Sequence, residues 1–310
     1  MAGVPTLNPF SPEAASIYHL FLAILLVMFA IFALVATLMT VAVIRYRDRE
    51  GAADARQEFG NPRLEIIWTV IPALLLIVIF GFTVRTIQAS DPPVAGHMPD
   101  LRVVGHQWWW EADYLGSGVV TANEIHIPVG RPILIDVEAA DVIHDFWVPE
   151  LGRKIDAIPG HPNHVWISAD KPGAYLGTCA EFCGNQHAWM RILLIAQTPA
   201  DFAAWQRSQL KVPAVPTAGV AAQGAQIFRE QTCINCHTVA GTLGNQRIGP
   251  DLTHLADRST IAAGAAANTP ANLLKWLENP NVIKPETHMP NFQLSDTQAQ
   301  ALVAYMETLK

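Results

Sequence analysis

The sequence predicts a multi-domain membrane protein: a two-helix transmembrane hairpin, then a small antiparallel β-sandwich or barrel, then an all-α domain. Three observations predict it. Two long apolar runs occupy the first ninety residues, residues 101–198 read as short strands separated by turns, and the C-terminal stretch carries helix caps around Cys233-Ile234-Asn235-Cys236-His237. Charged residues make up only 15% of the 310 positions, and the mean hydropathy is +0.22. That is too apolar for an ordinary soluble chain, and the length suffices for two soluble domains plus an anchor.

The anchor comes first, over residues 1–90. Residues 17–44 contain no charge, and His19 is their only strongly polar member. Ser11-Pro12-Glu13 just before them is a helix start, a capping serine with proline at the first helical position. As a helix the run is about 40 Å long, more than a hydrocarbon core needs, so it tilts or protrudes. The second run, residues 66–87, follows Asn61-Pro62, another cap with proline. Pro72 is expected to kink it and Arg85 to snorkel to the interface. Arg45, Arg47, Arg49, Arg56 and Arg63 lie between the runs, whereas no lysine or arginine precedes them. The positive-inside rule puts that loop in the cytoplasm and everything after residue 90 outside. A cleaved signal peptide is the rival reading of the first run, but the basic n-region and short h-region it needs are missing.

Residues 91–211 form the second expected domain. They carry eight basic against fourteen acidic residues, so most of the net charge of −7 belongs here. No basic stripe exists for a nucleic-acid partner. An acidic face suits a basic protein partner, and equally an ordinary exposed domain. Strand-like text occurs at Leu101-Arg102-Val103-Val104, Glu124-Ile125-His126-Ile127-Pro128, Pro132-Ile133-Leu134-Ile135-Asp136-Val137-Glu138, His164-Val165-Trp166-Ile167-Ser168 and Arg191-Ile192-Leu193-Leu194-Ile195. Turn signals at Val129-Gly130-Arg131-Pro132 and Lys171-Pro172-Gly173 punctuate them.

The four cysteines fall in two tight pairs, Cys179 with Cys183 and Cys233 with Cys236, which is not a disulfide scaffold. Cys179, Cys183, His187 and Met190 place two thiols, an imidazole and a thioether within twelve residues. This soft set favours copper over magnesium or calcium. One thiolate serves a one-copper site; a second lets both sulfurs bridge two coppers. His144, in Asp141-Val142-Ile143-His144, can supply a second imidazole from a distant strand. A Cys179–Cys183 disulfide, a two-cysteine two-histidine zinc site and a thioredoxin-like copper chaperone stay open. The disulfide leaves His187 and Met190 unexplained, and the chaperone needs alternating strands and helices.

Residues 212–221, rich in proline, read as a linker of about 30 Å when extended. In the last domain, residues 222–310, Cys233-Ile234-Asn235-Cys236-His237 is a c-type haem attachment motif: two thioether bonds and an iron-binding histidine. Helices are expected over residues 224–230, from Thr269-Pro270 through Trp276, and after Ser295, where Gln298 completes a capping box. The sixth iron ligand is expected to be Met289, in His288-Met289-Pro290. Met306 shares a helix face with Leu302 and Leu309, which suits a core position; His288 is the other rival.

The strings Gly105-His106-Gln107-Trp108-Trp109-Trp110, Asp141 to Pro149, Asp156-Ala157-Ile158-Pro159-Gly160 and Cys179 to Met190 resemble subunit II of haem–copper cytochrome c oxidases, over about residues 15–211. The last domain resembles class I cytochromes c. The resemblance implies a cupredoxin-like Greek-key β-barrel behind the two-helix anchor. It implies a dinuclear copper A centre held by His144, Cys179, Cys183, His187 and Met190, with Glu181 binding through its backbone carbonyl. It further implies a magnesium or manganese ion shared with subunit I through the Glu181 carboxylate. Trp108 would be the residue through which electrons enter, whereas Trp109 or Trp110 reads as packing. Arg191 stands where proline is common in the family; its charge would raise the copper potential or pair with a haem propionate of subunit I. Glu65, in Glu65-Ile66-Ile67-Trp68, would mark the mouth of a proton channel in subunit I, although a carboxylate also suits a helix N-terminus by itself. The implied function is electron transfer from an external donor, through haem c and copper, to oxygen reduction with proton pumping in subunit I. The implied partners are subunits I and III, a cytochrome c or quinol-oxidising complex as donor, and the lipid bilayer. The implied location is a bacterial plasma membrane with both redox domains on the outer face. A copper-A-containing nitric oxide reductase and a free-standing membrane-anchored electron carrier are the alternatives.

Overall fold

The computed structural model describes residues 3–48, 50 and 59–310; Arg49 and Arg56 of the expected cytoplasmic loop lie outside the described residues. The chain divides into two compact units, Ala15–Asp91 and Met1–Ala14 with Pro92–Lys310.

The first unit holds two helices, α1 (Pro12–Arg45) and α2 (Pro62–Ser90). Both are long and apolar enough to cross a bilayer, and none of their most apolar stretch is buried by the chain itself. Side chains such as Leu26, Phe29, Phe32, Ile77 and Phe80 stand exposed. Such a surface is stable in hydrocarbon and costly in water. The α2 start closes reciprocally: the Asn61 side chain accepts from the Arg63 and Leu64 amides at 3.2 and 3.3 Å, and Glu65 Oε1 accepts from the Asn61 amide at 3.2 Å. α2 runs unbroken across Pro72.

In the second unit the strands are β1 (Leu101–His106), β2 (Trp109–Tyr114), β3 (Val120–Ala122), β4 (Glu124–Pro128), β5 (Ile133–Ala139), β6 (His144–Trp147), β7 (Ile155–Ala157), β8 (Asn163–Ile167), β9 (Gly173–Cys179) and β10 (Arg191–Gln197). They form two five-stranded sheets, ordered β3-β2-β1-β5-β8 and β4-β10-β9-β6-β7. Each sheet contains one parallel pair, β1 with β5 and β4 with β10; the other pairs are antiparallel. Strict alternation appears in β10, where Ile192, Leu194 and Ala196 are buried and the residues between them half-buried. That is the pattern of a strand with one face on a core. Trp110, Ile125, Ile127, Ile135, Phe146 and Ile167 fill the space between the sheets. The N-terminal segment closes one end of this core: Ser11 Oγ donates to the Leu151 carbonyl at 2.7 Å, and Ser168 Oγ donates to Glu13 Oε2 at 2.7 Å.

Thr198 caps α3 (Pro199–Gln209), and after an irregular stretch comes α4 (Gly219–Glu230), five residues longer at its start than its sequence suggests. Next come α5 (Pro270–Glu278), α6 (Pro280–Ile283) and α7 (Asp296–Met306), the last with the expected Ser295–Gln298 capping box. A two-stranded hairpin, β11 (Thr260–Ile261) with β12 (Ala266–Ala267), is added to this helical domain. α4 and α7 cross so closely that a Cβ on Gly224 would lie 1.9 Å from the Ala301 carbonyl oxygen. Phe228 and Tyr305 pack ring to ring beside the crossing, 5.7 Å between centroids.

Gly224→Ala therefore forces α4 and α7 apart. The expected cost is about 1–3 kcal/mol of stability in the C-terminal domain, read as a lower denaturation midpoint of the full chain's helical signal.

Candidate functional site

Strand register assembles the first cluster. β6 pairs with β9 so that Phe146 faces Cys179, the last residue of β9, and His144 opens β6 on the same side as Phe146. β9 and β10 are antiparallel neighbours joined by residues 180–190, so Glu181, Cys183, His187 and Met190 all ride on one loop. The Cys179 amide donates to the Met190 carbonyl at 3.0 Å, and the Ala180 amide to the Asp145 carbonyl at 3.1 Å, which fixes both ends of the loop.

The two thiol sulfurs lie 3.7 Å apart. His144 Nδ1 is 3.9 Å from Cys179 Sγ, and His187 Nδ1 is 3.7 Å from Cys183 Sγ. Met190 Sδ stands 3.9 Å from Cys183 Sγ, and the Glu181 carbonyl oxygen 3.2 Å from Cys179 Sγ. Each sulfur thus has its own imidazole, and one weaker donor completes each side. His144, Cys179 and Cys183 are buried and close enough to share an ion. Both cysteines are free thiols, not a disulfide. The hydrogen bond between them holds the Cys179 thiol down at about 3 and pushes the Cys183 thiol above its ordinary value. The pair titrates as a unit, with the first proton lost readily and the second retained.

A second layer orients the donors. Asp141 Oδ1 lies 2.8 Å from His144 Nε2, which leaves Nδ1 facing the sulfurs. Gly105 makes room for that ring, since a Cβ there would meet His144 Cδ2 at 2.8 Å. The donor number, softness and burial fit a two-copper centre.

Trp108 backs onto this loop. Its Nε1–H donates to the Cys183 carbonyl at 2.9 Å, and Gln107 Nε2 donates to the same oxygen at 2.8 Å. Gly184, at φ +112°, turns the loop past the indole; a Cβ there would lie 3.1 Å from Trp108 Cζ2. Trp110 is fully buried in the core, and Trp109 stacks on His106 at 4.2 Å, which accords with packing roles for both.

The C-terminal domain contains an apolar cavity lined by Cys233, Cys236, His237, Leu252, Trp276 and Met289, and Trp108 and Trp109 form part of its wall. The His237 ring lies with Nδ1 2.8 Å from the Pro250 carbonyl oxygen. Burial pushes His237 below its ordinary value, so the imidazole is neutral with Nε2 left as acceptor. Gly249 is a cradle for this ring, since its Cβ would sit 2.6 Å from His237 Cε1. Half-buried Arg258 also lines the cavity, and its buried Nε has no hydrogen-bond partner among the described residues. An apolar slot with two thiols, a fixed imidazole and a spare guanidinium donor fits a haem with its carboxylates. Met289, Met306 and His288 all border the cavity. Met306 is buried in the domain core, whereas the His288 ring rests against Trp108 at 4.5 Å.

Several of these contacts were not legible in the sequence. Arg247 reaches across to Glu111 and Asp113 at 3.1 Å each, so the acidic middle domain spends part of its charge on its own C-terminal domain. Buried Glu124 accepts from Ser259 Oγ at 2.9 Å and from the Thr260 amide at 2.8 Å. Lys284 enters the same interface with no motif to announce it. Arg191 donates its amide to the Ala263 carbonyl at 3.1 Å. The Glu181 side chain is exposed, and Glu65 is engaged as a helix cap.

Three family descriptions match the chain. Residues 7–85 match "Cytochrome C oxidase subunit II, transmembrane domain", residues 117–197 match its "periplasmic domain", and residues 221–310 match "Cytochrome c". Cytochrome c oxidase subunit 2 of Alkalihalophilus pseudofirmus is 37% identical, over 98% of this chain and 90% of that protein. The subunit 2 of Bacillus subtilis is 30% identical over 98% and 91%. Among solved structures, the periplasmic domain of subunit II of cytochrome oxidase of Bradyrhizobium japonicum is 34% identical, covering 35% of this chain and 91% of that chain at a TM-score of 0.34.

Asp141→Asn removes the carboxylate behind His144 while keeping its shape. Metal retention at the cluster is expected to weaken about 10–100-fold, read by competition with a copper chelator.

Proposed function

The chain belongs to the cytochrome c oxidase subunit 2 family, and we propose that it is the subunit through which electrons enter a proton-pumping terminal oxidase, by way of its own haem domain. Membership makes it part of an oxidase complex, anchored in the membrane and associated with subunit I. The single observation that carries the finer reading is the position of Trp108, bonded to the Cys183 carbonyl on one side and walling the haem cavity on the other.

In this reading His144, Cys179, Cys183, His187 and Met190 hold two coppers by side chain, with Glu181 contributing its carbonyl. Cys233 and Cys236 bind haem c covalently, and His237 with Met289 ligates its iron. When bound, the haem and the dinuclear copper would supply one-electron transfer between an external donor and subunit I. The protein's own part is to fix distance and exclude water. Asp141 and the Pro250 carbonyl lock the two imidazoles, the sandwich core buries the thiols, and Trp108 bridges the two sites through bonded and packed atoms. Arg258 supplies a buried donor for a haem carboxylate.

The division of labour follows the chain: residues 1–90 anchor, 91–211 hold copper, 212–221 link, and 222–310 hold haem. The Glu181 carboxylate, exposed beside the copper loop, is free to share a magnesium or manganese ion with subunit I. Glu65, at the cytoplasmic end of α2, would stand at the proton-channel mouth and cap the helix at once. Subunit III and a donor cytochrome c or quinol-oxidising complex are the further partners. The redox domains face the outside of a bacterial plasma membrane.

Substitutions at each of the two sites test the assignments. Cys179→Ser or Cys183→Ser should abolish the mixed-valence copper signal in electron paramagnetic resonance while haem c stays intact; an unchanged spectrum at full copper content rules out thiolate bridging. Met289→Ala should remove the weak far-red band of histidine–methionine ligation and lower the haem potential. Survival of that band, with its loss in a His288 or Met306 variant, would reassign the ligand.

A further inference from the structure

Lys284 is the C-cap of α6 and lies five residues before Met289, and it is only 2% exposed. Lysine is almost never buried unless something pairs it. Its Nζ donates to the Trp108 carbonyl at 2.7 Å, the Trp189 carbonyl at 3.2 Å and the Ala262 carbonyl at 3.4 Å. An ammonium has three hydrogens, and three carbonyls surround it. Two of those carbonyls belong to the β-domain, one beside the copper loop's Met190 and one on the bridging tryptophan itself. Among the described residues no carboxylate is a hydrogen-bond partner of Lys284.

The residues that follow continue the contact. The Pro285 carbonyl accepts from Gln186 Nε2, the Glu286 carboxylate accepts from Asn185 Nδ2, and the His288 ring rests on Trp108. Residues 284–288 therefore lie as one strip along the copper loop and the indole. Burial pushes the Lys284 ammonium down to about 7, the mark of a group that costs free energy to place here. A methionine would fill the same space without that cost. What a buried, fully bonded charge adds over an apolar side chain is a defined register. The Arg247 contact, about half exposed, is screened by salt and adds little.

We propose that Lys284 is a positioning residue for electron delivery: a buried ammonium latch that fixes the Met289-bearing strip of the haem domain on the Trp108 and Trp189 carbonyls. The latch sets the separation between the haem cavity and the copper loop in the docked state. This inference rests on the haem-to-copper relay proposed above.

The test uses the intact oxidase, with Lys284→Met in the full chain and Lys275→Met, an exposed lysine of the same domain, as control. Haem c is reduced by a flash, and the first-order rate of electron arrival at copper is followed. Lys284→Met should slow that step several-fold, because the separation of the two sites is no longer fixed. The haem and copper spectra should be unchanged, and Lys275→Met should match the wild type. A wild-type rate in Lys284→Met with intact spectra overturns the latch alone. Absence of the haem-to-copper step in the wild type overturns the relay instead. Should Lys284→Met disturb the haem spectrum, the unaltered protein decides by mild amine-reagent labelling read by mass spectrometry. Lys284 should stay unlabelled while Lys275 reacts, and equal labelling of the two overturns the proposal.

Discussion

The structure depends on one indole held from both sides. Trp108 donates its ring N–H to the carbonyl of a copper-loop cysteine, and its own carbonyl takes the buried Lys284 ammonium of the other domain. The ring face carries His288. Electron tunnelling falls steeply with separation, so a relay between two domains joined by a linker needs a contact that fixes distance. In the proposed relay the contact and the conduit are the same residue. The tight turn at Gly184 and the bond from Gln107 to the same Cys183 oxygen serve that contact.

The donor geometry in turn depends on the sheets rather than on the loop. His144 and Cys179 are brought together by the β6–β9 register, and a one-residue slip would turn His144 away from the sulfurs. Ten strands around one apolar core hold that register, and the Ser11 and Glu13 contacts from the N-terminal segment close its edge. The C-terminal domain has an independent core built on the α4–α7 crossing, where only glycine fits at position 224. Rigid domains with separate cores leave docking to a few polar contacts. Most of those are partly exposed and salt-sensitive; the Lys284 and Glu124 contacts are buried and specify register.

Much of this was legible in the sequence for identifiable reasons. The apolar runs declare themselves because lipid tolerates no charge, and Cys179 to Met190 declares itself because the donors are local. The Ser295 capping box and the Thr269 cap were readable from side chains that bond their own helix. His144 could be offered as the second imidazole because the donor set lacks one, but spacing alone says nothing about how a remote strand meets the loop. Five strands, β2, β3, β6, β7 and β9, escaped because glycine, charge or short length blurs their alternation. The parallel pairs β1–β5 and β4–β10 are long-range and leave no local mark. Lys284 was invisible for a deeper reason: in sequence it is an ordinary loop lysine, and only the docked partner makes its burial meaningful. The acidic middle domain suited a basic partner or an ordinary exposed domain equally, and its charge did not reveal that Glu111 and Asp113 meet Arg247 of the same chain.

The central claim is that the haem domain serves the copper centre of its own chain. A linker of this length keeps the domain at an effective concentration on the order of millimolar. The direct measurement is flash-initiated electron transfer in the intact oxidase and in a form cut between Val212 and Val220, with residues 221–310 supplied separately, across a range of protein concentration. The haem-to-copper rate is expected to be independent of concentration in the intact protein and second-order in the cut form. A rate in the intact protein that rises with its concentration would mean that the haem serves neighbouring molecules, and the relay within one chain would fall.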